Sequence, residues 1–176
     1  MIICVGSVFL DHIVKIDSFP KKPIKVLAQG IEKRLGGSAA VASFTIKKLG
    51  INTSFIGRLG NDDASKFLKN ELKKFKIKHN NIVEIKGVKS SQSFVYEDKR
   101  GERLLAAFSE KKLLNDKKLP KITFKKNTTV MSDLRWVEAT LYIAKNCNKN
   151  NLNHIVDLDN YKLNKKIKQI IHLSSH

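Results

Sequence analysis

Residues 36–63 read GGSAAVASFTIKKLGINTSFIGRLGNDD, and this stretch decides the fold. It reads as a tight glycine turn, a helix of small residues, a Gly-Ile-Asn connection, a strand and the acidic start of a second helix. Gly36 and Gly37 let the backbone turn sharply and approach a ligand with no side chain between. Ser38 suits the N-cap of the helix that follows. Ala39, Ala42, Ser43, Ile46 and Leu49 recur at helical spacing. Small residues in the first two turns let the helix start sit close to a sheet or a sugar. Gly50 supplies the left-handed residue that commonly closes a helix. Residues 53–57 form a short strand, and Asn61, Asp62 and Asp63 open the next helix.

Upstream of this stretch, residues 1–8 form a near-continuous apolar run, which suits a strand buried on both faces. Asp11 follows at its carboxyl end, the edge where open α/β sheets bind ligands. A short carboxylate there accepts hydrogen bonds from sugar hydroxyls; the plainer alternative is an aspartate capping a turn. Residues 13–29 alternate around a Phe19-Pro20 break. IVKI and IKVLAQ are expected as strands of a small separate sheet, with Lys25 in the second. Residues 31–35 lead back to the glycine turn.

Downstream, residues 62–75 make an amphipathic helix with Ala64, Phe67, Leu68, Leu72 and Phe75 on one face. Residues 77–85 are a connection and a short strand. Residues 90–108 form a hairpin, with Gly101 in the left-handed position of its turn. Residues 119–126 are a basic linker. A strand at 128–132 precedes Asp133, Leu134, Arg135 and Trp136, then come a helix over 137–146, a strand over 154–158 and a last amphipathic helix. The alternation predicts an α/β fold, a mostly parallel sheet with helices on both faces.

The chain has 176 residues, enough for one domain, and is 41% hydrophobic. No apolar run reaches the roughly 20 residues of a membrane span. The apolar N-terminus lacks a basic leader and a small-residue cleavage site. Two cysteines, Cys4 and Cys147, make no disulfide framework and read as buried small hydrophobes. The expected compartment is the cytoplasm. Net charge is +18, from 34 Lys and Arg against 16 Asp and Glu. The lysines are scattered, often paired, as at Lys47-Lys48 and Lys117-Lys118, and far outnumber the arginines that read bases and phosphates. A solvated basic surface is expected, with no specific nucleic-acid partner and no membrane.

GGSAAVAS, the LG that follows, FIGRLG and NDD, in this order and spacing, resemble the first signature of the PfkB (ribokinase-like) carbohydrate kinases. The resemblance implies a ribokinase-like fold in which a small β-sheet lid, from strands around 13–29 and 90–108, covers the sugar. It implies sugar contacts from Asp11, Gly36, Gly37 and Ser38. The family usually has Asn where this chain has Val41, so that contact is missing here. KSSQSFVYEDKRGERLL, SDLRW and IVDLD resemble the branch that holds sulfofructose kinase and ketohexokinase-like enzymes. By that resemblance Arg135 and Lys25 bind an anionic sugar substituent, an arginine fork being suited to a sulfonate or phosphate. Against it, Ala107 stands where that branch has a polar Asn. A salt bridge from Arg135 to Asp133 or Asp157, and a solvated Lys25, are the plainer readings.

The resemblance covers residues 1–176 but only the N-terminal half of a family member. The later Gly-Ala-Gly-Asp motif, with its catalytic aspartate, and the ATP site are absent from these residues. The expectation is therefore a C-terminally truncated single domain, carrying the sugar-binding and lid half and inactive alone. ATP and Mg2+ would serve the complete enzyme, with no cofactor-binding residue in this chain. The partners implied are a small-molecule sugar and a homodimer formed through lid strands. The alternative is a non-catalytic sugar-binding or dimerisation module derived from such a kinase. His172 and His176 lack a third ligand and are no metal site, Asp157 and Asp159 are not a hydrolase pair by spacing, and Trp136 reads as core.

Overall fold

The computed structural model describes residues 1–116, 118–159 and 161–176. Lys117 and Asn160 lie outside the described residues, and with them the Lys117-Lys118 pair. The first sheet is parallel, in the order β5-β4-β1-β8-β9, from β1 (Ile2–Gly6), β4 (Thr53–Leu59), β5 (Val83–Glu84), β8 (Thr129–Asp133) and β9 (His154–Asp157). β1 lies at its centre because its residues alternate between two cores. Ile3 and Val5 face α4 (Val137–Lys149) through Ala139, Ile143 and Cys147. Cys4 faces α1 (Ser38–Lys48) and α2 (Asp63–Lys74) through Ala39, Ala40, Leu68 and Leu72. A strand apolar on both faces satisfies both layers at once. α5 (Lys165–Leu173) packs on α4 through Ile167 and Ile170.

The second sheet, the one expected as a lid, is small and mixed, in the order β3-β2-β6-β7, from β2 (Phe9–Lys15), β3 (Gly30–Gly36), β6 (Gln92–Glu97) and β7 (Arg103–Phe108). β2 runs parallel to β6 and antiparallel to β3, and β6 pairs antiparallel with β7. The 90–108 hairpin is thus present, with Gly101 at φ 83° and Gly50 at φ 81°.

The expected lid strands over 13–29 need correction. IVKI belongs to β2, which begins earlier, at Phe9, but IKVLAQ is not a strand, and the partner of β2 is β3. Pro20 and Pro23 cannot donate to a ladder, and lysines dominate the intervening residues, whereas GIEKRLG pairs with β2 over its whole length. Lys25 therefore lies in an exposed irregular segment. Ser38 is the first residue of α1, not its cap; Gly37 takes the cap position and no side chain caps the helix. A short helix, α3 (Lys111–Asn115), precedes the basic linker. Cys4 and Cys147 are buried, and burial pushes both thiols up to about 11. No helix of the described residues is long and apolar enough to cross a membrane.

One buried side chain ties the last elements together. His154 on β9 has Nδ1 2.8 Å from Ser174 Oγ and Nε2 2.8 Å from Ser132 Oγ. The Ser174 hydroxyl donates to the Ile170 carbonyl, so it accepts from Nδ1–H, and the neutral ring accepts from Ser132 at Nε2. Burial holds the His154 pKa down, to about 4 from 6.5. Between those values the unfolded chain binds a proton that the folded chain refuses, so stability falls as pH drops from 6.5 toward 4. Urea denaturation should show a loss on the order of 3 kcal/mol over that window. In His154→Asn most of that acid-side slope should vanish; an equal slope in the variant would assign the acid sensitivity to other groups.

Candidate functional site

The site forms where the carboxyl edge of the parallel sheet meets the lid. Its centre is Asp133, at the end of β8. One oxygen, Oδ2, accepts from the Ser7 amide at 2.8 Å, the Ser7 hydroxyl at 2.6 Å and the Ala39 amide at 3.3 Å; the other accepts from the Arg135 amide at 3.0 Å. A Cβ at Gly6 would overlap this carboxylate, so the strand carries a glycine where the side chain of Asp133 crosses it. The Ala40 amide donates to the Ser7 carbonyl at 3.2 Å. Two of the first three amides of α1, those of Ala39 and Ala40, are thereby occupied from within the protein. These bonds hold the glycine turn in place and use two of the amides that a helix start otherwise offers to an anion.

Gly36 and Gly37 act by close approach. Gly37 has φ 93°, and a Cβ there would strike the backbone of Ser7 and Val8. A Cβ at Gly36 would occupy the space of the Asp11 carboxylate. Asp11 lies in β2, beside Arg34 of β3 and Ser93 of β6, and its Oδ1 accepts from the Ser93 hydroxyl at 2.5 Å. Burial raises the Asp11 pKa, while the Ser93 bond opposes that rise. The structure therefore brings together Asp11, Gly36 and Gly37. Ser38 follows at once, exposed at the helix start.

Arg135 stands apart from that group. Its guanidinium reaches neither Asp133 nor Asp157; Nη2 is 3.5 Å from Asp159, and the group lies over Tyr161 at 5.5 Å from the ring centroid. Arg135 lines a cavity of about 410 Å³ that continues from Ser7 and Phe9 to Ala107, Arg58 and Trp136. Lys25 does not line it. Trp136 is buried, as core residues are, and also forms part of this wall.

Sequence reasoning missed Ser93, Ser7 and Arg58. The signal for Ser93 was the two-residue period of the lid strand, which puts Ser91, Ser93 and Val95 on one face; Gly6-Ser7 inside an apolar run was the signal for Ser7. No group of three or more His, Cys, Asp or Glu residues among the described residues could hold a metal ion.

A parallel sheet with a separate four-stranded mixed sheet beside a glycine turn is the ribokinase-like fold. The pfkB family of carbohydrate kinases matches residues 1–175, and the chain belongs to that family. It is 26% identical to the nucleoside kinase of Methanocaldococcus jannaschii over 103 residues, 58% of this chain and 34% of that protein. Its fold superposes on a candidate ribokinase of Agrobacterium tumefaciens with TM-score 0.89 and 24% identity, covering 99% of this chain and 57% of that one. The structure of the Methanocaldococcus jannaschii nucleoside kinase gives 0.80 and 22%, over 98% and 58%. Arabidopsis thaliana ribokinase, solved with ribose and ATP, gives 0.71 and 21%, over 91% and 54%. The chain thus spans about a third of that curated relative and just over half of these solved structures.

Gly36→Ala tests the close approach. The methyl group should push Asp11 away from Ser93 and toward solvent, lowering its raised pKa, and should cost about 1–3 kcal/mol of stability. Carbon-13 NMR titration of the Asp11 carboxyl reads the first effect; an unchanged titration would refute the packing described.

Proposed function

We propose that the chain is the sugar-binding and lid half of an ATP-dependent kinase that phosphorylates a hydroxyl of a ketose, including one with an anionic substituent such as sulfofructose. The observation that carries this reading is Asp11. Its carboxylate is oriented by Ser93, packed against Gly36 and set on the lid beside the sheet edge. A fixed, partly desolvated carboxylate is a strong acceptor for paired sugar hydroxyls. The glycine turn leaves room for the ring, and Ser38 stands beside it. The lid's role is to cover the sugar and exclude water.

The ketose branch rests on the SDLRW run and on Arg135 at the cavity wall; the similar proteins described above are named as ribokinase and nucleoside kinases. Lys25, on its exposed irregular segment, would reach the substrate only after that segment folds inward. ATP, Mg2+ and the base that removes the hydroxyl proton belong to the complete enzyme, and Asp11 is assigned to binding, not to proton transfer. The cytoplasm remains the proposed compartment.

A homodimer through the lid is the partner reading. Ile31, Phe94, Tyr96 and Leu104 are exposed. Their strand registers put them on the lid face opposite Asp11, Ser93 and Ala107. A sheet face with such residues is a recognition surface in waiting. The non-catalytic reading, a sugar-binding or dimerisation module, draws on the same face.

Calorimetric titration of the purified chain with fructose should give saturable binding that falls about tenfold or more in Asp11→Asn. No ATP turnover above background should accompany it. Unchanged affinity in the variant would remove Asp11 from the site, and genuine turnover would place the catalytic groups within these residues. Sedimentation equilibrium should find a dimer that Phe94→Glu converts to monomer with fructose affinity intact; a monomeric wild-type chain would end the lid-dimer reading.

A further inference from the structure

The amino-terminal edge of the parallel sheet, the end away from the second sheet, is strongly basic. Backbone bonds set its starting points side by side. The Lys78, Asn52, Met1 and Asn153 carbonyls accept from amides of the neighbouring strands, at Phe55, Ile2, Thr129 and Val130. Because these strands run parallel, the helices that return the chain to them end at the same place. α1 ends in Lys47 and Lys48, α2 in Lys73 and Lys74, and α4 in Lys149. Lys76 and Lys78 follow α2, and Lys125 and Lys126 lead into β8. Along the sequence these lysines are scattered in pairs, which reads as a solvated surface; the topology gathers them at one end. A helix terminus favours cations through its partial negative charge, but Lys76, Lys78, Lys125 and Lys126 belong to no helix.

The end is one-sided in charge. Over residues 45–53, 71–79, 125–129 and 145–153 Glu71 is the one carboxylate, and it pairs with Lys74 at 3.7 Å. Asp62, Asp133 and Asp157 stand at the opposite, carboxyl edge. The lysines named are exposed, apart from half-buried Lys47, and no arginine lies on these segments. Two apolar side chains stand bare among them: Leu49 is 72% exposed and Ile51 42%, in the connection from α1 to β4. At the start of β8 and β9 a recess of about 640 Å³ is lined by Lys126, Asn127, Thr129, Asn150, Asn151 and Asn153. Its amides and hydroxyl can donate to and accept from a phosphodiester. Reading of nucleic acids favours arginine forks and exposed aromatic platforms, and this end has neither. Bare apolar residues in a field of lysines fit the headgroup layer of an anionic bilayer.

We propose that this end docks on an anionic phospholipid surface, the lysines against the headgroup anions and Leu49 and Ile51 dipping into the acyl boundary. The contact is peripheral and spans nothing. It departs from the expectation of a solvated surface with no membrane partner, because that expectation rests on the spread of lysines in sequence and not on where the fold collects them. It is independent of the sugar-kinase reading. Asp11, the glycine turn and the second sheet lie at the other end of the strands, so a docked chain keeps the candidate site open to solution. Exposed charges are screened by salt, so the attachment is set by ionic strength as well as by lipid charge.

The full chain is mixed with vesicles of phosphatidylcholine alone and of equal parts phosphatidylcholine and phosphatidylserine, and the bound fraction is read by co-sedimentation. The anionic vesicles should bind the chain, less as salt rises, and the neutral ones should not. A variant with Lys47→Gln, Lys48→Gln, Lys125→Gln and Lys126→Gln should bind them about a hundredfold or more weakly. A control that loses the same charge from exposed positions elsewhere, Lys111→Gln, Lys112→Gln, Lys162→Gln and Lys165→Gln, should lose less than about tenfold. Leu49→Ser with Ile51→Ser should weaken binding about threefold or more at constant salt. All these side chains are on the surface, and thermal melts should show each variant folded. No binding to the anionic vesicles at low salt, or equal losses in the two lysine variants, would overturn the docking face and leave the sugar-kinase reading untouched. Duplex RNA that strips the chain from the vesicles at physiological salt, through the same four lysines, would make this a nucleic-acid surface and overturn the lipid assignment.

Discussion

The Asp133 carboxylate is the constraint on which the site depends. It is buried where β1, β8 and α1 converge, and its bonds go to Ser7, Ala39 and Arg135. A buried charge is tolerable only when its lone pairs are filled, and here amides and a hydroxyl from three elements fill them. Each bond also fixes a part of the site. Ser7 sets where β1 leaves the sheet for the lid, Ala39 sets the start of α1, and Arg135 begins the turn that carries Trp136. Gly6 and Gly37 leave the space this convergence needs.

A consequence is that part of the glycine turn's hydrogen-bonding capacity is used to position it. The pattern of glycines before a helix of small residues invites a phosphate-cradle interpretation, yet the Ala39 and Ala40 amides are already bonded to Asp133 and Ser7. The unspent positive charge lies on the other face of the sheet, at Arg58. The surface lysines that give the chain its charge of +18 are a different matter. They are exposed and screened, whereas Arg58 is buried, bonded to the Leu114 and Arg135 carbonyls and stacked on Trp136.

The central sheet was legible because its strands and helices announce themselves locally. Met1 to Val8 is apolar on both faces, the acidic start at Asp62 caps α2 by accepting from Ser65, and Gly50 and Gly101 stand where left-handed residues are needed. The lid was half legible. Its hairpin has a turn signal, but β3 is a polar strand, GIEKRLG, whose only warrant is its pairing with β2. IKVLAQ has more strand character in isolation and no partner in the fold. Asp11 and the two glycines could be singled out, but their contact could not, because it depends on the pairing of β2 with β3, a polar strand with no local signal. Asp133 was seen only as a neighbour for Arg135; its bond to Ser7 spans 126 residues of sequence and leaves no local trace.

The lid's attachment has a mechanical meaning. It is joined to the body by four chain crossings: Ser7-Val8 from β1, Gly36-Gly37 into α1, residues 85–91 from β5, and Ser109-Glu110 into α3. A plate rooted at four points cannot swing as a flap on one hinge. Two of its roots, at Ser7 and at Ser90, are pinned by the carboxylates of Asp133, which is buried, and Asp62, which is half-buried. Few backbone torsions are left free at these roots, and the least covered part of the sheet is its edge along β7, where every residue is exposed.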